Sequence, residues 1–127
     1  MSFCTAINCM DGRVQLPVIR YLQDYFKVRY VDMITEPGPV RILAQPHDSE
    51  IIASIERRID ISVSKHHSQG IAVIAHEDCA GNPVSDEDQK KQISLAIEYL
   101  RKKYPQLTTI GLWVDISGRV SDEFSSF

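Results

Sequence analysis

Two short runs concentrate the residues in this chain that could do chemistry: Cys9-Met10-Asp11-Gly12-Arg13 and His76-Glu77-Asp78-Cys79. Tetrahedral zinc prefers nitrogen and sulfur ligands, and the two-residue gap between His76 and Cys79 lets one tight turn present both to a single ion. Cys9 closes the triangle if the two runs lie side by side. Two thiolates and a neutral imidazole offset the charge of one Zn2+ per chain and leave a fourth position for water or for the Asp11 carboxylate. Which of the two fills it decides whether the site is open. The bland alternative is a pair of buried cysteines with a hydrogen-bonded loop histidine, beside an ordinary Asp-Gly turn and a surface arginine.

The hydrophobic pattern supplies the elements that must position these groups. Phe3 to Asn8 is short and mostly small or apolar, as in a strand buried on both faces, and Asp11-Gly12 then turns the chain. A helix follows, with Pro17 in its first turn and Val18, Ile19, Leu22, Tyr25 and Phe26 on one face. Arg29 to Thr35 reads as a second strand, stopped by Glu36-Pro37-Gly38-Pro39. A long helix is expected from an N-cap at Asp48 or Ser49, through Ile51, Ile52, Ile55, Ile59 and Val63, to Gly70.

Ile71 to Ala75 makes a third strand that delivers His76. Ser85, with Asp88 three residues later, opens another helix with acids in its first turn and Arg101, Lys102 and Lys103 near its end, complementing the helix dipole. Its buried face is Ile93, Ala96, Ile97 and Leu100. Thr108 to Val114 is a fourth strand, and the polar tail from Ser117 is expected to pack loosely. The alternation predicts an α/β fold: a parallel sheet of about four strands flanked by helices, in a single domain over residues 1–127. In such sheets, sites gather beyond the carboxyl ends of the strands, where both chemical runs fall.

Composition narrows the function classes. A chain of 127 residues, 43% hydrophobic, can close one core but not two. The 17 acidic residues against 14 basic ones give a net charge of -3, which attracts no polyanion, so nucleic acid is not an expected partner. There is no basic leader before an apolar run and no stretch of membrane-spanning length, so no membrane association and a cytoplasmic location are expected. Three cysteines cannot all pair with one another, which favours thiol chemistry or metal binding over structural disulfides. Cys4 reads as core, His47 as a loop residue, and His66 and His67 as solvated residues at a helix end. Glu77 and Asp78, inside the ligand turn, receive no role, and the Lys90-Lys91 and Arg101-Lys102-Lys103 groups are a wet helix face.

Cys9, Asp11 and Arg13 fit a Cys-x-Asp-x-Arg signature, and His76 with Cys79 fits a His-x-x-Cys signature. Through both, in this order and each after a predicted strand, the sequence resembles the β-class carbonic anhydrases over most of its length. The resemblance implies that Cys9, His76 and Cys79 bind zinc, and that Asp11 either takes the fourth position or is held away by Arg13. It implies catalysis through Asp11 and Arg13: zinc-bound hydroxide, oriented by the Asp11–Arg13 pair, attacks carbon dioxide and yields bicarbonate. It also implies a homodimer or higher homo-oligomer.

Departures from the family pattern bear on the pocket. The chain begins eight residues before Cys9, where family members carry a helical arm that embraces a partner subunit. Gly12 stands in place of a usual serine, Ala80 precedes Gly81 where glycine usually follows the cysteine directly, and Glu36-Pro37-Gly38-Pro39 replaces an Arg/Asn-Ala-Gly segment. Two alternatives follow: a carbonic anhydrase-like zinc-binding protein without hydratase activity, or a zinc hydrolase acting on carbon disulfide or carbonyl sulfide. A thiol redox protein using Cys9 is disfavoured, because no resolving cysteine stands two residues away.

Overall fold

The computed structural model describes residues 1–47 and 49–124. Its elements follow the order strand β1 (Phe3–Cys9), helix α1 (Gln15–Phe26), strand β2 (Tyr30–Glu36), helix α2 (Pro39–Ala44), helix α3 (Ser49–Lys65), strand β3 (Gly70–His76), helix α4 (Asp86–Lys103), strand β4 (Thr108–Val114) and strand β5 (Val120–Ser121). A single 3-10 turn, Gly12–Val14, links β1 to α1. The strands form one sheet in the order β2-β1-β3-β4-β5, parallel except for β5. No helix among the described residues is long and apolar enough to cross a membrane.

The α/β expectation holds because each strand is a run of β-branched or small residues that must be covered on both faces. On one face Ile7, Val73 and Trp113 pack with Ile52, Ile55 and Ile59 of α3 and Ile93, Ile97 and Leu100 of α4. On the other, Cys4, Ala6, Ile74 and Leu112 meet Val18 and Leu22 of α1. Each fully buried Ile or Leu contributes about 1.5–3 kcal/mol of hydrophobic stabilisation. α4 is capped as its sequence predicts: the Ser85 hydroxyl accepts from the Asp88 N–H at 3.1 Å, with three acids in the first turn and three bases in the last. The expected cap of α3 at Asp48 or Ser49 lies outside the described backbone and side chains.

Three expectations are corrected. The Glu36–Pro39 segment does not simply break the chain: Glu36 completes β2, and Pro39 is the first residue of α2, where its fixed φ and missing N–H suit a helix start. α3 ends at Lys65 rather than at Gly70, and the left-handed residue that follows is His67, at φ 53°. Gly70 instead opens β3, where a Cβ would lie 2.3 Å from the Phe26 ring. The described part of the tail, residues 117–124, is also more ordered than expected. Asp115 accepts hydrogen bonds from the Ser117 and Arg119 N–H groups and Gly118 takes φ +87°, so the chain folds back and β5 becomes a fifth strand against Trp113 and Val114.

Candidate metal centre

Parallel pairing brings the chemical runs together. β1 and β3 are neighbours, with Ile7 opposite Val73, so Cys9 and His76 leave the sheet at the same carboxyl edge. There Cys9, His76 and Cys79 are 4%, 3% and 5% exposed, and one ligand atom from each lies within 4.8 Å of the others. The two Sγ atoms are 3.8 Å apart. That is far beyond a disulfide bond, and it matches the roughly 3.8 Å that separates two sulfurs each about 2.3 Å from one tetrahedral zinc ion.

The histidine is oriented for ligation. Its Nδ1 lies 2.9 Å from the Glu77 carbonyl oxygen. A carbonyl only accepts, so Nδ1 carries the proton and the lone pair is left on Nε2. Nε2 is buried and has no hydrogen-bond partner of its own. An orphaned buried nitrogen beside two sulfurs at this spacing fits a metal ion, and the donor set is one zinc favours.

The electrostatics agree. Burial pushes the Cys9 thiol up, but the neighbouring His76 imidazole and the Asp11 and Gly38 backbone N–H groups outweigh it and bring the thiol down to about 7. Burial also drives the Cys79 thiol up, and proximity to Cys9 adds to this, taking it to about 11. Burial works against a charged His76, yet contact with Cys9 and the Glu77 carbonyl raises its pKa. Cys9 is thus the readier of the two thiols to ionise, and a metal ion bound here would displace the remaining protons.

Asp11 faces Arg13 in a bidentate pair. The guanidinium donates from Nε at 3.0 Å and from Nη2 at 2.7 Å, and the Arg13 backbone N–H adds a bond at 2.9 Å. These bonds hold the Asp11 carboxyl down at about 2. Arg13 also reaches the other turn, donating from Nη2 to the Asp78 carbonyl at 3.1 Å and from Nη1 to its carboxylate at 3.3 Å.

Several supporting residues carry no signal in the sequence. Gln15 donates to the carbonyls of Cys9 and Asp11 at 2.8 and 2.9 Å, holding the first turn, and buried Gln89 donates to the His76 carbonyl at 2.8 Å. Glu77 accepts from the Ile116 N–H at 2.9 Å and ties the β4–β5 hairpin to the second turn. The hairpin thereby walls a cavity of about 30 Å3 that Arg13, Val14 and His76 also line. Cys4 is fully buried and His47 exposed, as expected. His66 is exposed, as expected, and its ring in addition lies 2.7 Å from the Asp32 carboxylate and stacks on Phe3.

Fold and site together define a parallel α/β protein with a buried Cys–His–Cys cluster at the carboxyl edge of its sheet. Residues 1–122 match the family described as "Putative carbonic anhydrase", and the chain belongs to this carbonic anhydrase family. Its fold is that of the β-carbonic anhydrases. A tetrameric β-carbonic anhydrase of Sordaria macrospora superimposes with a TM-score of 0.67 at 13% identity, covering 94% of this chain and 79% of that one. The β-carbonic anhydrase CafA of Aspergillus fumigatus gives 0.65 at 14% identity, covering 98% and 76%. A carbonic anhydrase from Glaciozyma antarctica gives 0.58 at 16% identity, covering 93% and 80%. No curated protein sequence shows a significant match.

Proposed function

We propose that the chain holds one Zn2+ through Cys9, His76 and Cys79 and catalyses the reversible hydration of carbon dioxide to bicarbonate. The observation that carries this reading is the pairing of a preformed Cys–His–Cys cluster with an Asp11 carboxylate committed to Arg13. Family membership supports it. An Asp11 already satisfied by Arg13 favours an open fourth position over a closed one.

Zinc, when bound, activates water as a nucleophile near neutral pH. The remaining work falls to the chain. The Glu77 carbonyl fixes the His76 tautomer, and Gln89 fixes the strand end that bears it. Asp11, ionised throughout the neutral range, accepts a hydrogen bond from the attacking water and so orients its lone pair. Arg13 keeps that carboxylate in place and links it to the Asp78 turn. The proton released passes to buffer.

The hairpin walls only a cavity of about 30 Å3 at the rim of this small sheet, and we assign the remaining wall to a second copy in a homo-oligomer. The relative from Sordaria macrospora is described as tetrameric. A monomeric mass by light scattering would contradict this assignment. Stopped-flow hydration by the zinc-loaded protein tests the reaction: turnover that disappears in Cys79→Ser is expected, whereas bound zinc without turnover would leave a metal-binding protein that is not a hydratase.

A further inference from the structure

Two turns outside the ligand set pack backbone against backbone beside the sulfurs. A Cβ on Gly81 would lie 2.7 Å from the Pro37 carbonyl carbon and 2.9 Å from its Cα. A Cβ on Gly38 would lie 2.7 Å from the Asn82 Cβ and 3.1 Å from the Gly81 carbonyl. Gly38 also takes φ +67°, so both its conformation and its contact demand glycine. At Gly81 the contact alone excludes a side chain.

Each turn is anchored from outside the interlock. Asn82 is fully buried and donates from Nδ2 to Gln92 of α4 at 2.7 Å. The Glu36 carbonyl, just ahead of Pro37, accepts from the Met10 N–H at 3.1 Å and so ties its turn to the Cys9 segment. The Asn82 N–H in turn donates to the Cys79 carbonyl at 3.2 Å, so each turn is tied to the chain beside one of the sulfur-bearing residues.

We infer that Gly38 and Gly81 are positioning residues of the metal centre: their interlock holds the turn tied to the Cys9 segment against the turn that follows Cys79, and so fixes the spacing of the two sulfurs. This rests on the proposed zinc reading.

Gly81→Ala is the informative variant, with Gly12→Ala as a matched control, since a Cβ at Gly12 meets nothing within 4 Å. Zinc affinity by chelator competition and the thiolate-to-metal charge-transfer band of the cobalt-substituted protein are read on both. Gly81→Ala is expected to bind zinc about 10–100-fold more weakly and to shift the band, while Gly12→Ala stays close to wild type. Wild-type affinity and an unshifted band in a folded Gly81→Ala protein would overturn the inference and leave the zinc reading standing. A wild-type protein that binds no zinc would sink both. Should Gly81→Ala not fold, NMR of the zinc-loaded wild type decides: Overhauser contacts between the Gly81 α-protons and Pro37 support the interlock, and their absence refutes it.

Discussion

The sulfur atoms of Cys9 and Cys79 stand 3.8 Å apart although 70 positions separate them in the chain. Parallel pairing of β1 with β3 brings the two segments side by side, and the turn after His76 carries Cys79 toward Cys9. The cluster is thus arranged by the fold itself, and binding a metal need not reorganise the sheet.

Arg13 is expected to be needed for turnover but not for metal. Arg13→Ala removes the bidentate partner of Asp11 and frees the carboxylate to compete for the fourth position. Hydration should fall by about tenfold or more with zinc content unchanged, and Arg13→Lys should not restore it, because an ammonium cannot reproduce the fork. Zinc analysis and kinetics on one preparation check both parts.

Acid stability should carry the mark of Asp11. Its carboxyl is held at about 2 in the folded state against an ordinary 3.8, so its stabilisation is fully present above about pH 4 and lost as pH falls toward 2. Denaturation of wild type and Asp11→Asn is expected to show a gap that is constant at neutral pH and closes across that window. The pair is partly exposed, so the gap should be small and should shrink with salt.

The thiols of the metal-free protein should titrate apart. Ultraviolet thiolate absorbance is expected to rise once near pH 7, for Cys9, and again only near 11 to 12, for Cys79 and the buried Cys4. Added zinc should bring on the Cys79 signal at neutral pH. A single step near the ordinary thiol value would contradict the arrangement of the cluster.

Packing between α4 and the sheet should not tolerate one added methyl group. A Cβ on Gly111 of β4 would lie 2.4 Å from Ile93 Cγ2 and 2.7 Å from Ile97 Cδ1. Gly111→Ala is expected to destabilise the fold by about 1–3 kcal/mol in urea denaturation.

That Cys9, His76 and Cys79 come together was legible in the sequence because their types and spacings are those that metal ligation would demand, and apolar runs placed them at strand ends. The helix after Pro39 was missed because a Pro-Gly-Pro segment signals a stop, and only tertiary context lets its second proline start a helix. β5 was missed because two residues carry no periodicity; the Asp115 turn that forms it depends on side-chain to backbone bonds. Asp78 lay within the recognised motif, yet its contact with Arg13 arises only when two distant turns meet. Gln15, Gln89 and Glu77 act through backbone atoms, which no residue pattern announces.

X-ray absorption at the zinc edge, on protein of measured metal content, tests the central claim most directly. One zinc per chain with two sulfur neighbours at about 2.3 Å and the remaining ligands nitrogen or oxygen at about 2.0–2.2 Å is the expected result, reduced to one sulfur in Cys79→Ser. Zinc bound without sulfur neighbours, or no zinc at all, would contradict the account.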